Sequence, residues 1–600
     1  MAGAHTLAAD PVEKPYSKSP ILASGSYSKP EGGSVKRRRS IMGSVAFVVM
    51  VAFLPVGALG GPASIKSDDL KEWLSFIASD DTQGRALFSA GLGLAAAYIS
   101  DHLRVWGVKP GGDHSSYLQT VRVLGVKSIS RSTVTVKIGN DSRTFADADA
   151  LIFPKNSGGK QRLTIDRVEF AGYGLELPAA RHADFAGRDM AGAAVIWLGA
   201  DGPKEVDAQK YRLLLQQRGR SAVEQMHAAA SIGPETAAGR RGGAPPAAGQ
   251  GTTAAGRGPA IAPDFTTVER LDKLLPPAIR AKDAFFEFLF SRAPVKYDEL
   301  KRKAQARDPL PTFRLDAVTL TFNVDTDYEV VRTQLTQNVI GIVEGSDPVL
   351  KKTYVAFGAH YDHVGYAEGE LTTGDNAPRR ARAPGRVTPG SVEDRIWNGA
   401  DDDGSGTVGL MALARAFADG PRPKRSLLFV WHTGEETGRY GSLYFADYPT
   451  VPLDGIVAQL NIDMIGRNRD NDEAQANTLY LVGSDRISSE LHAISRAANS
   501  ALGRPMTLDY EFNDPSDAES LYTRSDHYSY ASKGIPVIFF TTGLHPDYHA
   551  NTDDVSRIEF DKMTRVVDYV YETAVRLANL DHVPVRDNQG ARAGKSPITP

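Results

Sequence analysis

An unbroken run of apolar residues, 427–431, is followed by two adjacent carboxylates, Glu435 and Glu436. Such a run is typical of a central strand that is covered on both faces, as in a parallel sheet. Sheets of this kind bind ligands beyond the carboxyl ends of their strands. The run therefore predicts an α/β fold with a functional site at the end of this strand. Taken alone, two glutamates after a strand are more often exposed to solvent than part of a functional site. The residues at the ends of the other predicted strands therefore have to distinguish the two interpretations.

After Asn338 strands and helices alternate along the chain. This rhythm predicts a mixed, mostly parallel central sheet flanked by helices. The predicted strands are 353–359, 426–431, 456–462, 478–482 and 535–541, and the predicted helices include 406–418, 488–501 and 561–580.

Most of the predicted strands end in, or lead to, a candidate metal ligand. His360 and Asp362 lie two residues apart and so on one face of an extended segment, where Asp362 could accept the second ring N–H of a metal-bound His360. Asp463 is an acid inside an apolar run, which is costly to bury unless it is paired or metal-bound. The remaining candidates are Asp401 to Asp403, which could equally cap a helix, the pair Glu435 and Glu436, and His545 and His549.

The chain of 600 residues contains no cysteine, so a metal has to be held by histidines and carboxylates. Two histidines and three carboxylates can form two sites that share one carboxylate, a composition that suits zinc and also accommodates cobalt or manganese. Two such metals clamp the attacking and leaving oxygens of a hydrolysis, while one further carboxylate acts as general base. The formal charge of -3 offers no basic excess for binding nucleic acid.

The N-terminal region combines a basic cluster, KRRR at 36–39, with an apolar run at 41–60. This pattern predicts a secretory signal, or alternatively a single membrane anchor. Either interpretation places the bulk of the chain on the exported side, periplasmic or secreted.

The five motifs, in this order, resemble those of the two-zinc exopeptidases related to aminopeptidase Y and glutamate carboxypeptidase II. The resemblance extends over residues 67–580. The middle of the chain, with FAGYG and then DFAGRDMAG, is similar to the protease-associated domain that is inserted in members of this family. Composition and this resemblance together predict the following organisation: a disordered N-terminus with the signal or anchor at 1–64, a catalytic domain at 65–146 and 316–582, a mainly β inserted domain at 147–315 with a disordered loop near 233–263, and a disordered tail at 583–600.

The resemblance also implies the ligand set. His360 and Asp463 would hold the first zinc, Glu436 and His549 the second, and Asp402 would bridge them. Asp401 and Asp403 would then be neighbours of the bridging residue and not ligands themselves. The family pattern further implies a cis peptide bond between Asp402 and Asp403.

Three catalytic roles follow from the same resemblance. Glu435 would be the general base, Asp362 would orient His360, and Tyr522 of the segment YTRSDH would stabilise the oxyanion. Asp526 and Asp553 would be supporting groups. The division of labour between Glu435 and Glu436 requires a turn directly after Gly434, because neighbours on a regular strand point to opposite faces.

The expected function is that of an exported aminopeptidase, which hydrolyses peptides with a free N-terminus through a metal-bridged water and the base Glu435. Two enzymes of the same fold compete with it: a carboxypeptidase, which needs basic residues to read a terminal carboxylate, and a one-zinc glutaminyl cyclase. A catalytically silent binding protein is the alternative from a different class. The sequence leaves the side-chain preference and the oligomeric state open.

Overall fold

The computed structural model describes residues 65–235, 262–368, 371 and 383–588. The expected signal or anchor at 1–64, most of the low-complexity loop near 233–263 and the last twelve residues of the expected tail lie outside the described residues. Within the described ranges, no helix is both long enough and apolar enough to cross a membrane.

The described residues form ten α-helices and two dozen strands. The helices are α1 (Ser67–Ile77), α2 (Ala90–Val105), α3 (Arg212–Glu224), α4 (Asp283–Leu289), α5 (Tyr297–Gln305), α6 (Gly406–Asp419), α7 (Tyr440–Asp447), α8 (Ser489–Ala501), α9 (His527–Ala531) and α10 (Phe560–Ala578). The strands are β1 (Lys109–Pro110), β2 (Leu118–Ser130), β3 (Thr133–Ile138), β4 (Asp141–Ala146), β5 (Leu151–Ile152), β6 (Gln161–Ile165), β7 (Val168–Ala171), β8 (Glu176–Leu177), β9 (His182–Ala183), β10 (Ala194–Ile196), β11 (Ala230–Pro234), β12 (Phe265–Thr267), β13 (Ala278–Ala281), β14 (Thr312–Arg314), β15 (Val318–Val324), β16 (Thr326–Val343), β17 (Tyr354–His360), β18 (Gly365–Tyr366), β19 (Ile396–Trp397), β20 (Ser426–His432), β21 (Ile456–Ile462), β22 (Thr478–Val482), β23 (Thr507–Asp509) and β24 (Val537–Thr541).

The central sheet has the strand order β12-β2-β16-β20-β17-β21-β24-β22-β23, with β1 paired to β16. Its four middle strands, β20, β17, β21 and β24, are mutually parallel, and antiparallel partners flank them on both sides. This confirms the predicted α/β fold with a parallel centre. The carboxyl ends of the four parallel strands meet at one edge of the sheet, so side chains that follow them converge there.

The unbroken apolar character of β20 has a direct structural cause. Leu427, Phe429 and Trp431 pack into a core with helices α1, α2, α6 and α10 on one face of the sheet. Leu428 and Val430 pack on the opposite face, with residues of α7 and α9. Because both faces of the strand are covered, every position along it is apolar, as the sequence indicated.

A second core lies in the middle of the chain, around a six-stranded sheet of order β14-β7-β10-β11-β13-β5 and a four-stranded sheet of order β4-β3-β15-β6. Its buried residues run from Val134 to Val324, so this core extends beyond the expected limits of 147 and 315 on both sides. The segment also returns one strand, β12, to the central sheet beside β2. Helices α3, α4 and α5 accompany the strands.

Two stretches differ from the sequence-based expectation. The sequence also predicts a helix around 211–230, but the observed helix ends at Glu224, because Ala230 begins strand β11 and pairs with Ala194 in the six-stranded sheet. Sheet pairing here overrides the helical propensity of an alanine-rich segment. At the C-terminus, residues 583–588 pack against α8: the amide of Val585 donates to Glu490 at 2.8 Å, and that of Asn588 donates to the carbonyl of Ile487 at 3.1 Å.

Candidate metal centre

A cavity of about 360 Å³ opens at the carboxyl edge of the parallel strands. His360 is the last residue of β17, Glu435 and Glu436 follow β20, Asp463 follows β21, and His549 lies in the segment after β24. All five expected ligands line this cavity, together with the expected base: His360, Asp402, Glu436, Asp463, His549 and Glu435. The fold thus brings together side chains that are separated by up to 189 positions in the sequence, from 360 to 549.

Asp402 lies between two histidines. Its Oδ1 is 3.2 Å from Nε2 of His360, and its Oδ2 is 3.0 Å from Nε2 of His549. Each histidine faces a second carboxylate, at 3.8 Å from His360 to Oδ1 of Asp463 and at 2.9 Å from His549 to Oε2 of Glu436. A carboxylate that faces one nitrogen with each oxygen has the geometry that a bridging ligand needs.

The electrostatics of the cluster fit divalent cations. Burial, reinforced by Asp402, raises the pKa of Asp463 to about 7. Burial lowers the pKa of His549, but Glu436 and Asp402 outweigh it and raise that pKa to about 11. Oδ2 of Asp402 is buried without a hydrogen-bond partner among the described residues, despite its short distance to His549. Nitrogen and oxygen donors without sulfur, crowded in this way, suit zinc and also cobalt or manganese.

The loop that carries Asp402 is held by backbone hydrogen bonds to buried carboxylates. Asp553 accepts the amide of Asp401 at 3.0 Å and that of Asp402 at 3.1 Å. The peptide bond between Asp402 and Asp403 is cis, as the family pattern implies. Asp553, which was expected only as a supporting group, is therefore the direct anchor of the central carboxylate.

The two aspartates beside Asp402 are occupied by the fold. Asp403 accepts the amides of His360, Gly406 and Met464 at 3.0 to 3.1 Å, which uses both of its oxygens. It lies close to His360 and Asp463, but these bonds leave it less suited to hold a cation than Asp402. Asp401 accepts the amide of Gly466 and has Nε2 of His545 3.2 Å from its second oxygen. His545, a candidate in the sequence, thus supports the loop from outside the cavity.

The two glutamates after β20 diverge at a turn. Gly434 adopts a left-handed conformation with φ of 68°, which glycine accommodates without strain. Asp362 fixes the turn by accepting the amide of Glu435 at Oδ1, 3.1 Å, and that of Glu436 at Oδ2, 3.4 Å. The sequence-based expectation of a turn directly after Gly434 is met.

Asp362 contacts His360 differently from the expectation. Nδ1 of His360 is 3.1 Å from the backbone carbonyl of Asp362 and 3.7 Å from its carboxylate. The carbonyl is thus the closer acceptor for the ring N–H, and it can fix the tautomer of His360. The carboxylate itself anchors the turn that carries the two glutamates.

Sequence reasoning missed His363, which is 1% exposed. Its Nδ1 lies 2.9 Å from Oε1 of Glu436, opposite the oxygen that faces His549. Its Nε2 is buried without a partner among the described residues. The signal was present in the motif HYDH, three residues after His360, but a spacing of three on an irregular segment does not by itself indicate a shared site.

The role expected for Tyr522, to stabilise the oxyanion, stays a prediction. Tyr522 is absent from the lining of the cavity, and its ring packs 4.4 Å from the guanidinium carbon of Arg486 and edge-on against Tyr528. Tyr548 and Arg524 line the cavity instead, with Nη2 of Arg524 3.3 Å from the hydroxyl of Tyr548. The tyrosine next to His549 is thus the one that faces the candidate metal centre.

The segment that carries Tyr548 and His549 is clamped by the chain before β19. The amide of Arg386 donates to the carbonyl of His549 at 2.7 Å, and its guanidinium donates to the carbonyls of Pro546 and Tyr548 at 2.6 Å. His549 adopts a left-handed conformation with φ of 53°. These bonds hold a conformation that is uncommon for a residue with a side chain.

The chain shows similarity to a known family and to individual proteins. Residues 338–574 match the model of Peptidase family M28. Leucine aminopeptidase 1 of Trichophyton equinum and that of Trichophyton rubrum are each 25% identical over 251 residues, which cover 40% of this chain and 58% of the relative. The match therefore spans less than two thirds of the length of these relatives.

Solved structures give a weaker likeness. An aminopeptidase from Aneurinibacillus sp. strain AM-1 is 18% identical, with 88% of this chain and 98% of that chain covered and a TM-score of 0.40. The zinc aminopeptidase BSAP from Bacillus subtilis is 17% identical, with 88% and 99% covered and a TM-score of 0.39. The match to Peptidase family M28 thus covers residues 338–574, the part of the chain that contains the five expected ligands and Glu435.

Proposed function

We propose that the protein is a zinc-dependent aminopeptidase that removes the N-terminal residue of peptides. The observation that carries the proposal is the position of Asp402 between His360 and His549, in the same cavity as Glu435. The family match and the leucine aminopeptidase relatives support a hydrolase that acts on peptides.

Two zinc ions would be held by the groups that face Asp402. His360 and Asp463 would hold one ion, Glu436 and His549 the other, and Asp402 both. Zinc at such ligands lowers the pKa of a coordinated water to about 7 and polarises a carbonyl group.

Glu435 would move the proton. Its carboxylate lines the cavity and has no hydrogen bond or ion pair with any residue that the structure describes. Burial, together with the neighbouring Glu436 and Asp526, raises its pKa well above the ordinary value. A raised pKa lets this carboxylate accept the proton of the attacking water and return it to the leaving amine.

Tyr548 would stabilise the oxyanion. Its hydroxyl can accept the hydrogen bond from Arg524, which leaves its own proton free to donate to the developing negative charge. Burial raises the pKa of Tyr548 further above its ordinary value, so the hydroxyl stays protonated at neutral pH. Arg524 is oriented by Glu519, whose Oε2 lies 3.0 Å from Nη1.

The side chain of the N-terminal residue would enter an apolar part of the cavity. Four apolar residues line it: Met464, Leu521, Phe539 and Leu544. Each apolar group buried there contributes roughly 25 cal/mol per Å². We therefore infer a preference for substrates with an apolar N-terminal residue such as leucine or methionine.

Hydrolysis of amino-acid p-nitroanilides tests the proposal. The leucine compound should be cleaved faster than the aspartate compound, its N-acetylated form should be inert, and a chelator should abolish turnover. Mass spectrometry of the native protein should find about two zinc ions per chain. A metal-free chain would favour the silent binding protein, and equal cleavage of the N-acetylated substrate would contradict an aminopeptidase.

A carboxypeptidase remains the second candidate, because Arg524 supplies one basic group in the cavity. Its bonds to Glu519 and Tyr548 leave fewer of its N–H groups for a substrate carboxylate. A pair of peptides, one with a blocked N-terminus and one with an amidated C-terminus, separates the two activities. We also propose that the protein is exported, on the basis of the basic and apolar segments at 36–39 and 41–60.

A further inference from the structure

The outer wall of the cavity is contacted by a helix from the middle of the chain. Helix α3 (Arg212–Glu224) belongs to the second core, yet one of its faces lies against residues 523–528 of the catalytic part. The hydroxyl of Thr523 donates to Oε1 of Gln217 at 3.0 Å, and the hydroxyl of Tyr528 donates to Oε2 of Glu224 at 2.6 Å. Gln217 and Glu224 are seven residues apart, which places them two helical turns apart on one face of α3.

Tyr528 is the centre of this contact. It is 3% exposed, and two guanidinium groups lie near its ring, that of Arg220 at 5.3 Å and that of Arg439 at 5.4 Å from the ring centre. Arg220 also donates to the same oxygen of Glu224 at 2.7 Å, so the carboxylate holds the tyrosine and the arginine together. Cations over a desolvated aromatic ring stabilise its position.

Both walls of the cavity are connected to Tyr528. On one side its amide donates to the carbonyl of Ser525, and the hydroxyl of Ser525 donates to Oδ2 of Asp463 at 2.7 Å. On the other side Arg439 directly follows Gly438, a lining residue, and its amide donates to the carbonyl of Glu435 at 2.9 Å. A displacement of Tyr528 would thus move the segment 521–525 and the turn 434–439 together.

We propose that Tyr528, held by Glu224 and Arg220 of α3, is a positioning residue through which the middle segment sets the shape of the substrate cavity. The proposal rests on the proposed function, because its kinetic consequence is read in peptide hydrolysis. Tyr528 itself is absent from the lining of the cavity. It acts through the wall residues Leu521, Arg524 and Thr437, which do line it.

The test combines Tyr528→Phe and Glu224→Ala. Each removes the hydroxyl–carboxylate bond, and Glu224 lies on the half-exposed face of α3, so its loss should not prevent folding. KM for leucine p-nitroanilide and for a tripeptide should rise about three- to tenfold, the range expected when one hydrogen bond of ordinary net strength is lost. The value of kcat should fall by a smaller factor than KM rises, although Glu435 and Arg524 lie in the segments that move, and the zinc content should not change. Glu224→Gln, which keeps an acceptor oxygen, should restore most of KM.

Tyr297→Phe is the matched control. The hydroxyl of Tyr297 donates to Oδ1 of Asp283 at 2.7 Å within the same core, away from α9. Removing this bond should lower thermal stability to a similar extent and leave KM unchanged. If Tyr297→Phe raises KM as much as Tyr528→Phe does, the effect is general destabilisation and the proposal is wrong.

Hydrogen–deuterium exchange provides a readout that does not depend on activity. Peptides that cover 521–526 and 434–441 should exchange faster in Tyr528→Phe and in Glu224→Ala than in the unchanged protein, and at the original rate in Tyr297→Phe. Unchanged exchange in both segments would overturn the coupling whatever the kinetics. If the unchanged protein cleaves no p-nitroanilide but the two variants still exchange faster in these segments, the proposed function is refuted and the coupling stays intact.

Discussion

The buried carboxylate of Asp553 offers the sharpest test of how the cavity is built. It accepts the amides of Asp401 and Asp402 at 3.0 and 3.1 Å, and the three residues are almost fully buried. Asp553→Ala leaves two buried N–H groups without their acceptor, at a cost of about 1–3 kcal/mol each, or about 2–6 kcal/mol together. In the metal-free chain the loop can move outward to reach water, which avoids this cost.

Metal binding requires the loop in its buried position, so the cost of the two unpaired N–H groups should lower the affinity for the metal. The lower limit of about 2 kcal/mol corresponds to a roughly 30-fold increase in the dissociation constant. This agrees with the 10- to 100-fold loss that is common when a group behind a metal ligand is removed (about 1.4–2.7 kcal/mol). We expect the more weakly held zinc ion of Asp553→Ala to bind about 30- to 100-fold more weakly than in the unchanged protein.

The assay is a competition titration of chelator-treated protein against a chromophoric zinc chelator of known affinity. The zinc affinity of Asp553→Asn should lie between those of Asp553→Ala and the unchanged protein, because its single side-chain oxygen can still accept an amide while its NH₂ group faces a donor. Asp554→Ala removes the adjacent, half-buried carboxylate and serves as the control. Zinc affinity and stoichiometry in Asp553→Ala equal to those of the unchanged protein would refute this account of the loop.

Three further predictions concern the cavity itself. Glu435→Gln should keep its zinc and lose about 10²- to 10⁴-fold in kcat, as expected when a general base is removed, and a normal kcat would exclude Glu435 from that role. His363→Asn should weaken zinc binding about 10- to 100-fold in the same competition titration, since it frees the Oε1 of Glu436, and unchanged binding would make His363 a packing residue. The metal-free chain should become less stable as pH rises from about 5 to 9. In the native chain the pKa of Asp463 is raised to about 7, so Asp463 loses its proton in this range, whereas the unfolded chain has already lost it. The pKa of His549 is raised to about 11 in the native chain, so the native chain keeps a proton that the unfolded chain loses near 6.5. Added zinc displaces both protons, so its stabilising effect in thermal unfolding should grow over the same range, and a metal-free melting temperature that rises with pH would contradict the assignment.

Much of the catalytic fold follows from local sequence patterns. The strands Ile456–Ile462 and Thr478–Val482 have the predicted bounds, and the helix that begins at Gly406 ends one residue beyond its predicted end. These elements are buried on both sides or along one full face, so their apolar pattern is long and regular. The convergence of His360, Asp463 and the Glu435 turn also follows, since parallel strands deliver their carboxyl ends to one edge.

The limits of the second core could not be read from the sequence. Strands β3, β4 and β15 lie outside the expected boundaries, and they belong to the second core because β15 pairs with β6 and with β3, both far from it along the chain, while β4 pairs with β3. Alternation in a short strand indicates a half-buried face but does not say which sheet will cover it.

The contacts across irregular segments were likewise decided only by the tertiary structure. The sequence alone identified the histidines and carboxylates of the cavity, because strand ends have a regular relation to the sheet. It did not reveal Tyr548 in the lining of the cavity or His363 beside Glu436, and it did not show that the carboxylate of Asp362 holds a turn. Those positions depend on the dihedral angles of loops, which no periodicity encodes and which are fixed by hydrogen bonds from residues distant in the chain, such as Arg386 and Asp553.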